Sequence, residues 1–398
     1  MTSTTWRVWL RRNLFRNLRD GIITLLTAFI AGWILWKVLR FVLITGRWEI
    51  VERNLALFMY GRYPREDLWR ITLALCVAAF VTTMLFSMWS RADRAGVKRS
   101  PRTMLGEIGR RWWPLIVLGI VLLSFVTTVG PWIAACAAIA CLFAGALLGR
   151  ALSSAPVRIR GSAVAVTMLG IVVLLWFLAD GLGWDDWGGL MLSLYLAAAG
   201  MVLSFPLGVL LAIGRQSSMP IIRSLSIAAI EITRGVPLVV LIILSSEGLG
   251  FFFPQDVLPG KVVRVIVVLT IFTAAYVAEI VRGGLQSVPN GQSEAAAALG
   301  LSPTRITAFI VLPQALGNVI PALVGQFISL FKDTTLVSII GLLDVISVSE
   351  SIRKQSDFKG QGLVAETLVF AGLLFWVGSS TLSRESRRME RRLGVGER

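Results

Sequence analysis

The chain has 398 residues, a hydrophobic fraction of 56%, a charged fraction of 16% and a formal net charge of +16. Soluble domains average about 45–50% apolar and about 25% charged residues, so the composition excludes a soluble globular protein, and the high hydrophobicity also excludes intrinsic disorder. A membrane protein with several spans remains, and its positive charge then indicates basic cytoplasmic loops rather than nucleic-acid binding.

Ten segments are long and apolar enough to span a membrane, which takes about 20 mostly apolar residues. In chain order they are Gly21–Ile44, Ile71–Trp89, Trp113–Thr128, Trp132–Leu148, Ser162–Leu178, Gly189–Ile213, Ala228–Phe253, Val262–Val281, Gln314–Phe331 and Leu363–Leu382. The ninth has a short apolar continuation, Leu336–Leu343, and the seventh is taken as one span although it contains Pro237. The sequence therefore predicts an all-α, polytopic membrane protein with about ten transmembrane helices.

The distribution of basic residues predicts the orientation of these helices. Lys and Arg are concentrated in the N-terminal tail, in the connections after the second and fourth segments, and in the C-terminal tail. If ten helices alternate, all four regions lie on one side, whereas the connection with Asp180, Asp185 and Asp186 lies on the other. Because cytoplasmic loops carry the excess of Lys and Arg, we expect both termini in the cytoplasm.

The connections divide the chain into two halves. Those before about residue 185 are basic, whereas those after it carry Gly, Pro and buried polar residues. We predict an N-terminal accessory membrane half of about five helices (1–185), a working half (186–384) and a basic cytoplasmic tail (385–398). Segment 54–64 is predicted to lie amphipathically on the membrane surface, and Trp184 and Trp187 to be interfacial anchors.

Several kinds of chemistry are absent from the sequence. There is no histidine, which excludes histidine-based catalysis and most zinc sites. Cys76, Cys136 and Cys141 stand in apolar runs without metal-ligand spacing, so we expect inert thiols and no metal site. No phosphate-binding loop G-x-x-x-x-G-K-[ST] occurs, so ATP is not expected to bind here by that route.

The connection after the eighth segment has strong helix-end signals. Ser293 is predicted to cap a helix through the alanines, and Gly300 to end it in a left-handed turn. Ser302 and Pro303 then predict the start of a second helix that returns to the membrane. Such a helix either serves only as a turn between spans or docks into a groove of a partner, and these signals favour neither.

The same connection resembles the EAA signature of ABC importer permeases, which reads E-A-A, three residues, G, nine residues, I, any residue, L, P. The matching residues are Glu294, Ala295, Ala296, Gly300, Ile310, Leu312 and Pro313. Flanking stretches resemble the polar amino-acid branch of these permeases: Arg234–Leu238, Ala275–Gly284, Ser287–Gln292 and Lys332–Leu336. The resemblance covers about residues 188–384. Segment 54–64 makes the N-terminal half similar to the second, extended permease of general or neutral L-amino-acid importers.

The resemblance implies a multi-pass subunit of the bacterial inner (plasma) membrane with a C-terminal five-helix, MetI-like permease core. It implies import of L-amino acids by alternating access, with the seven matching residues coupling loop 285–313 to an ATPase. The implied partners are an ATPase subunit dimer, a second permease, an external amino-acid-binding protein and the lipid bilayer, but no nucleic acid. ATP and Mg²⁺ then belong to the ATPase, so this chain has no cofactor and is not an enzyme. An ion-coupled secondary amino-acid carrier is the alternative, although the sequence has no internal repeat of the kind many such carriers show.

Charged and polar residues within the spans indicate further sites, because they are costly in lipid. Lys332 follows Pro313 by about 18 residues, near 27 Å at helical rise, so Lys332 and Asp333 are placed at the outer interface. A short re-entrant piece there would line a gate or pathway. The pathway candidates are Tyr276, Lys332, Asp333, Thr334, Thr335 and Ser338. Glu231 and Arg234 are predicted to pair with each other, and Glu279 and Arg282 to act at the inner interface in capping or coupling.

Overall fold

The computed structural model describes Leu10 and residues 13–88, 131–179, 187–254 and 258–393. The predicted span Trp113–Thr128 and the residues Trp184, Asp180, Asp185 and Asp186 lie outside the described residues. In the described part every named element is helical, apart from isolated backbone bridges that join Gly61 to Trp187 and Gly188 to Leu343. The prediction of an all-α fold is therefore confirmed.

The chain divides into two compact units, Met1–Glu52 and Arg53–Arg398. The first unit contains the long helix α1, Leu18–Arg40, which continues as a π-helical turn over Phe41–Thr45. None of the residues of α1 is buried, as expected of a span that faces lipid on all sides. Near its end, the Nζ atom of Lys37 lies 5.7 Å from the ring centroids of both Trp33 and Trp36, so its charge is covered by aromatic faces.

The remaining helices follow in chain order. They are α2 Glu49–Arg53, α3 Leu55–Tyr60, α4 Leu68–Met88, α5 Pro131–Ser153, α6 Val157–Ala179, α7 Gly189–Arg215, α8 Pro220–Gly235, α9 Leu238–Ile243, α10 Lys261–Gln286, α11 Asn290–Ala298, α12 Pro303–Ile306, α13 Leu312–Asp333, α14 Val345–Arg353 and α15 Val364–Leu393. Short π-helical turns at Leu244–Gly248 and Thr307–Val311 and 3₁₀ turns at Arg65–Asp67, Leu249–Phe251 and Thr334–Ile340 connect them.

Eight helical segments among the described residues are long and apolar enough to cross a membrane, and they coincide with eight of the ten predicted spans. The seventh predicted span, Ala228–Phe253, is wrong as a single helix, because Pro220–Gly235 and Leu238–Phe251 meet at 100°. Val236 is extended (φ −105°, ψ 133°), since the ring of Pro237 disfavours helical backbone at the preceding residue. The exact number of spans and the cytoplasmic location of both termini stay predictions.

The core that supports the 285–313 loop is formed by α7, α8, α10 and α13. Its buried residues are Ala212, Ile230, Val277, Ala278, Val281, Leu285, Val288, Ala315 and Leu323. Small residues bring the helices close together. At Gly208 of α7, an added Cβ would lie 2.6 Å from Cβ of Val277 on α10. The two ends of the loop therefore begin from closely packed helices.

Two adjacent glycines of α10 test how tightly this core is packed. A Cβ on Gly284 would lie 2.7 Å from the carbonyl oxygen of Ala315, whereas a Cβ on Gly283 would meet nothing within 4 Å. We expect Gly284→Ala to lower the free energy of unfolding by about 1–3 kcal/mol through overpacking. Gly283→Ala should be neutral or slightly stabilising, since alanine is the better helix former by about 1 kcal/mol. Thermal unfolding in detergent checks both, and equal midpoints for the two variants would contradict the close crossing.

Segment 54–64, which we call the clasp, is buried in the protein, so its predicted position on the membrane surface is wrong. Phe58, Met59 and Tyr63 are 0%, 1% and 2% exposed. An amphipathic segment buries its apolar face equally well against protein or lipid, so the pattern alone did not distinguish the two. The clasp lies against the start of α7. Gly61 (φ +65°) approaches the Cα of Gly188 so closely that no side chain would fit there.

Trp187 is the centre of this contact. The prediction that it anchors at the interface is wrong, because its side chain is 1% exposed. Its ring packs edge-on against Tyr63 of the clasp (centroids 5.4 Å apart) and Tyr195 of α7 (4.8 Å). Farther along the clasp, Phe58 contacts Phe370 of α15 (5.0 Å). The clasp therefore joins residues that are more than a hundred positions apart in the chain.

Backbone contacts at the same place hold the segment that leads into α14. The amide of Gly189 donates to the carbonyl of Leu343 (2.7 Å). The buried Asp344 caps α14, since its carboxylate accepts from the amides of Ser347 (2.9 Å) and Ile346 (3.2 Å). Burial nevertheless raises the pKa of Asp344 above its ordinary value, although the backbone hydrogen bonds act in the opposite direction.

Candidate functional site

The 285–313 loop contains the short helix α11 between two turns. The predicted N-cap at Ser293 is wrong, because α11 already begins at Asn290 with Pro289 as its cap. Pro289 is extended (φ −59°, ψ 137°) and its carbonyl accepts from the amide of Gln292 (3.0 Å). The helix therefore begins directly after the proline and includes Ser293 and Glu294 in its interior.

Gly300 ends α11 in a left-handed turn, as predicted. Its φ is +78°, its amide donates to the carbonyl of Ala297 (2.9 Å), and the amide of Leu301 donates to the carbonyl of Ala296 (3.2 Å). These two bonds define a Schellman motif, which satisfies carbonyls that the helix end would otherwise leave unpaired. An added Cβ on Gly300 would meet nothing within 4 Å, so only the backbone conformation requires glycine within this chain.

The return to the membrane begins where it was predicted, at Ser302 and Pro303. The hydroxyl of Ser302 does not cap the helix but lies 3.3 Å from that of Thr304. A π-helical turn, Thr307–Val311, precedes α13. Pro313 in the first turn of α13 has no amide proton to donate, and the side chain of Gln314 donates to the carbonyl of Ile310 (2.8 Å).

The seven residues that match the EAA signature divide by exposure. Glu294, Ala295, Gly300 and Pro313 are exposed, Ala296 is buried, and Ile310 and Leu312 are half-buried. Leu299 and Phe309, which the sequence analysis did not select, expose 83% and 76% of their surface. In the sequence, Leu299 stands directly before Gly300, which ends α11, and Phe309 stands in the turn before α13. An apolar residue at either position could have been selected as a candidate contact for a partner. The loop thus exposes two apolar side chains as well as the carboxylate of Glu294.

The loop is tied to both helices that carry it. The hydroxyl of Ser287 donates to the carbonyl of Gly284 on α10 (2.7 Å) and accepts from the side-chain amide of Asn318 on α13 (3.0 Å). Val288 is buried in the core together with Ala315 of α13. The start of the loop is therefore hydrogen-bonded to and packed against both α10 and α13.

Five charged residues form what we call the Glu279 cluster: Arg215, Glu231, Arg234, Glu279 and Arg282. The predicted pair of Glu231 with Arg234 is wrong, because Glu231 bonds Arg215 (3.0 Å) and Arg234 faces Glu279 (3.8 Å). Glu279 also accepts from Nη1 of Arg215 (3.3 Å) and from Nε of Arg282 (3.0 Å). Sequence reasoning missed Arg215, whose only local signal is a basic residue at the end of α7.

The pathway candidates occupy two different places. Tyr276 lies beside the Glu279 cluster, with Cζ of Arg234 5.5 Å from its ring centroid. Lys332 and Asp333 end α13, and a 3₁₀ helix from Thr334 to Ile340 continues to Gly341 (φ +80°). The hydroxyls of Thr334, Thr335 and Ser338 each donate to a carbonyl three residues earlier (2.8 Å). Their role in a gate or pathway stays a prediction.

Comparison with known proteins gives a consistent set of relatives. A family described as "binding-protein-dependent transport system inner membrane component" matches residues 204–395. The inner membrane amino-acid ABC transporter permease protein YhdY of Escherichia coli (strain K12) is 32% identical over 414 residues, which cover 99% of this chain and 95% of that protein.

Two further matches are similar over different lengths. The glutamate/glutamine/aspartate/asparagine transport system permease protein BztC of Rhodobacter capsulatus is 34% identical over 87% of this chain and 78% of its own. A crystal structure of an amino acid ABC transporter with histidines matches at 30% identity and a TM-score of 0.45, over 50% of this chain and 90% of that one.

Proposed function

The chain belongs to the inner-membrane permease subunits of binding-protein-dependent ABC transporters, and we propose that it imports L-amino acids. It is a multi-pass protein of the inner membrane. Amino-acid transport is supported by the permeases YhdY and BztC, which align with 99% and 87% of the chain. The relatives give no support to the alternative of an ion-coupled carrier.

The observation that carries the coupling role is the geometry of the 285–313 loop. The short helix α11 and its C-cap expose the carboxylate of Glu294 and the side chain of Leu299, the later turn Thr307–Val311 exposes Phe309, and Ala296 is buried. An exposed helix with apolar anchors suits a groove on a partner protein. We infer that the partner is the ATPase, and that Glu294, Ala295 and Gly300 face its groove while Leu312 joins the loop to the core.

The proposed transporter has four further components. A dimer of ATPase subunits binds ATP and Mg²⁺, so that this chain needs no cofactor and performs no hydrolysis itself. A second, different permease completes the membrane part, and an external binding protein delivers the amino acid. Within this chain, residues 186–384 form the permease core, residues 1–185 the accessory half, and residues 385–398 a basic cytoplasmic tail.

The contacts of the loop suggest how ATP binding moves the permease. Closure of the ATPase dimer displaces α11, and the Schellman turn at Gly300 keeps α11 and α12 in a fixed relation. Ser287 and Asn318 pass the displacement to α10 and α13. The helices then move as rigid bodies between inward-facing and outward-facing states, whose populations the nucleotide and the loaded binding protein bias.

Uptake of labelled L-amino acids into cells that carry the assembled transporter tests this function. With ATP maintained and the proton gradient collapsed, we expect uptake to continue in the wild type and to be lost in Gly300→Asp, because this change places an unpaired negative charge against the groove of the docked partner. Uptake that stops with the gradient, together with normal behaviour of Gly300→Asp, would instead identify an ion-coupled carrier.

A further inference from the structure

The Glu279 cluster connects three helices of the permease core. Arg215 is the last residue of α7, Glu231 and Arg234 lie near the end of α8, and Glu279 and Arg282 belong to α10. Directly after Arg234 the chain bends by 100° between α8 and α9. The cluster therefore lies where α10, which carries the 285–313 loop, meets the bend between α8 and α9.

Glu279 uses both of its carboxylate oxygens to hold this junction together. Oε1 accepts from Nε of Arg282 (3.0 Å), while Oε2 accepts from Nη1 of Arg215 (3.3 Å) and lies 3.8 Å from Nη1 of Arg234. The side chain of Glu279 is 26% exposed and that of Arg215 24%, so water screens these pairs less than pairs on an open surface. Without the carboxylate, three guanidinium groups would share the site with Glu231 alone, and their repulsion would separate the helices.

The position of Glu279 along α10 relates the cluster to the loop. It precedes Gln286, the last residue of α10, by seven residues, about 10 Å at helical rise. α10 is continuous between them, so a displacement of the loop reaches Glu279 without an intervening flexible segment. By contrast, the bend at Val236 and Pro237 interrupts the helical hydrogen bonds between α8 and α9, while Ile230 packs α8 against the core.

We propose that Glu279 is a positioning residue that ties α7 and α8 to α10, so that movement of the coupling loop changes the bend of the α8–α9 span. This proposal rests on the proposed function and concerns how the movement spreads through the permease. Glu279 touches neither the ATPase nor the amino acid in this scheme. Removing the charge of Glu279 should therefore lower amino-acid transport and leave ATP hydrolysis nearly unchanged. A general loss of stability would instead lower both activities together.

The test measures ATP hydrolysis and amino-acid uptake side by side in proteoliposomes with the complete transporter. Glu279→Gln keeps the size of the side chain and removes its charge. We expect uptake to fall about tenfold or more while hydrolysis stays within about twofold of the wild type, so that the ATP used per amino acid moved rises about tenfold. Glu52→Gln makes the same chemical change at an exposed carboxylate outside the core and should leave the ratio unchanged.

Each remaining outcome decides the proposal. A ratio within about twofold of the wild type, or a parallel loss of hydrolysis and uptake at equal amounts of assembled protein, overturns it. If Glu279→Gln does not assemble, Arg215→Gln removes the bonds from α7 to Glu231 and Glu279 and should raise the same ratio; an unchanged ratio there also overturns the proposal. The double variant should be no worse than Glu279→Gln, since both changes break one unit. A wild type without uptake would contradict the proposed function instead.

Discussion

Replacing Gly300 by valine should reduce ATP-driven uptake at least about tenfold, whereas Gly300→Asn should retain most of it. Gly300 has a φ of +78°, a conformation that costs an L residue roughly 1–2 kcal/mol and a β-branched residue more. Asparagine tolerates this region better than other residues with a Cβ. Because nothing in the chain lies within 4 Å of the added Cβ, the difference between the variants reports on the turn and not on a clash within this subunit.

Uptake per permease molecule in the membrane measures the effect, and co-purification of the ATPase measures its binding separately. We expect the valine variant to lose ATPase binding as well as uptake, since the Schellman bonds from Gly300 and Leu301 set the orientation of α11. Equal uptake for Val and Asn would mean that the left-handed turn does not position the coupling helix.

Removing the indole of Trp187 should have the largest effect on stability. Trp187 is 1% exposed and packs between Tyr63 and Tyr195, so Trp187→Ala leaves a large cavity between the clasp and α7. Such truncations cost about 3–5 kcal/mol. Trp187→Phe keeps an aromatic ring against both tyrosines and should cost considerably less.

Thermal unfolding of the detergent-solubilised protein, followed by fluorescence size-exclusion chromatography, checks both variants. The alanine variant should also expose the clasp to limited proteolysis near residues 61–64, because Tyr63 then loses its ring contact. A midpoint for Trp187→Ala equal to that of Trp187→Phe would contradict the packing of the clasp against the start of α7.

The clasp and the Glu279 cluster show where sequence reasoning about this protein failed. Segment 54–64 was recognised as amphipathic, yet whether lipid or protein covers its apolar face depends on α7 and α15, which follow more than a hundred residues later. Glu231 and Arg234 are three residues apart in one helix, a spacing that favours an ion pair between them. In the structure Glu231 pairs instead with Arg215 of α7. In both cases the deciding partner is distant in the chain.

The amino-acid sequence is enough to predict the all-α membrane fold, the position of eight of the spans, and the left-handed end of α11 at Gly300. These features depend on hydropathy over about 20 residues or on the backbone freedom of one glycine, and both are local properties. The tertiary structure alone decided where the clasp lies, which arginines surround Glu279, and that the seventh span is bent by 100°. Pro237 stands at the bend in the sequence, but the angle there and the ionic contacts beside it depend on how α7, α8 and α10 pack. This packing brings together residues that are distant in the chain, such as Arg215 and Glu279, which are 64 positions apart.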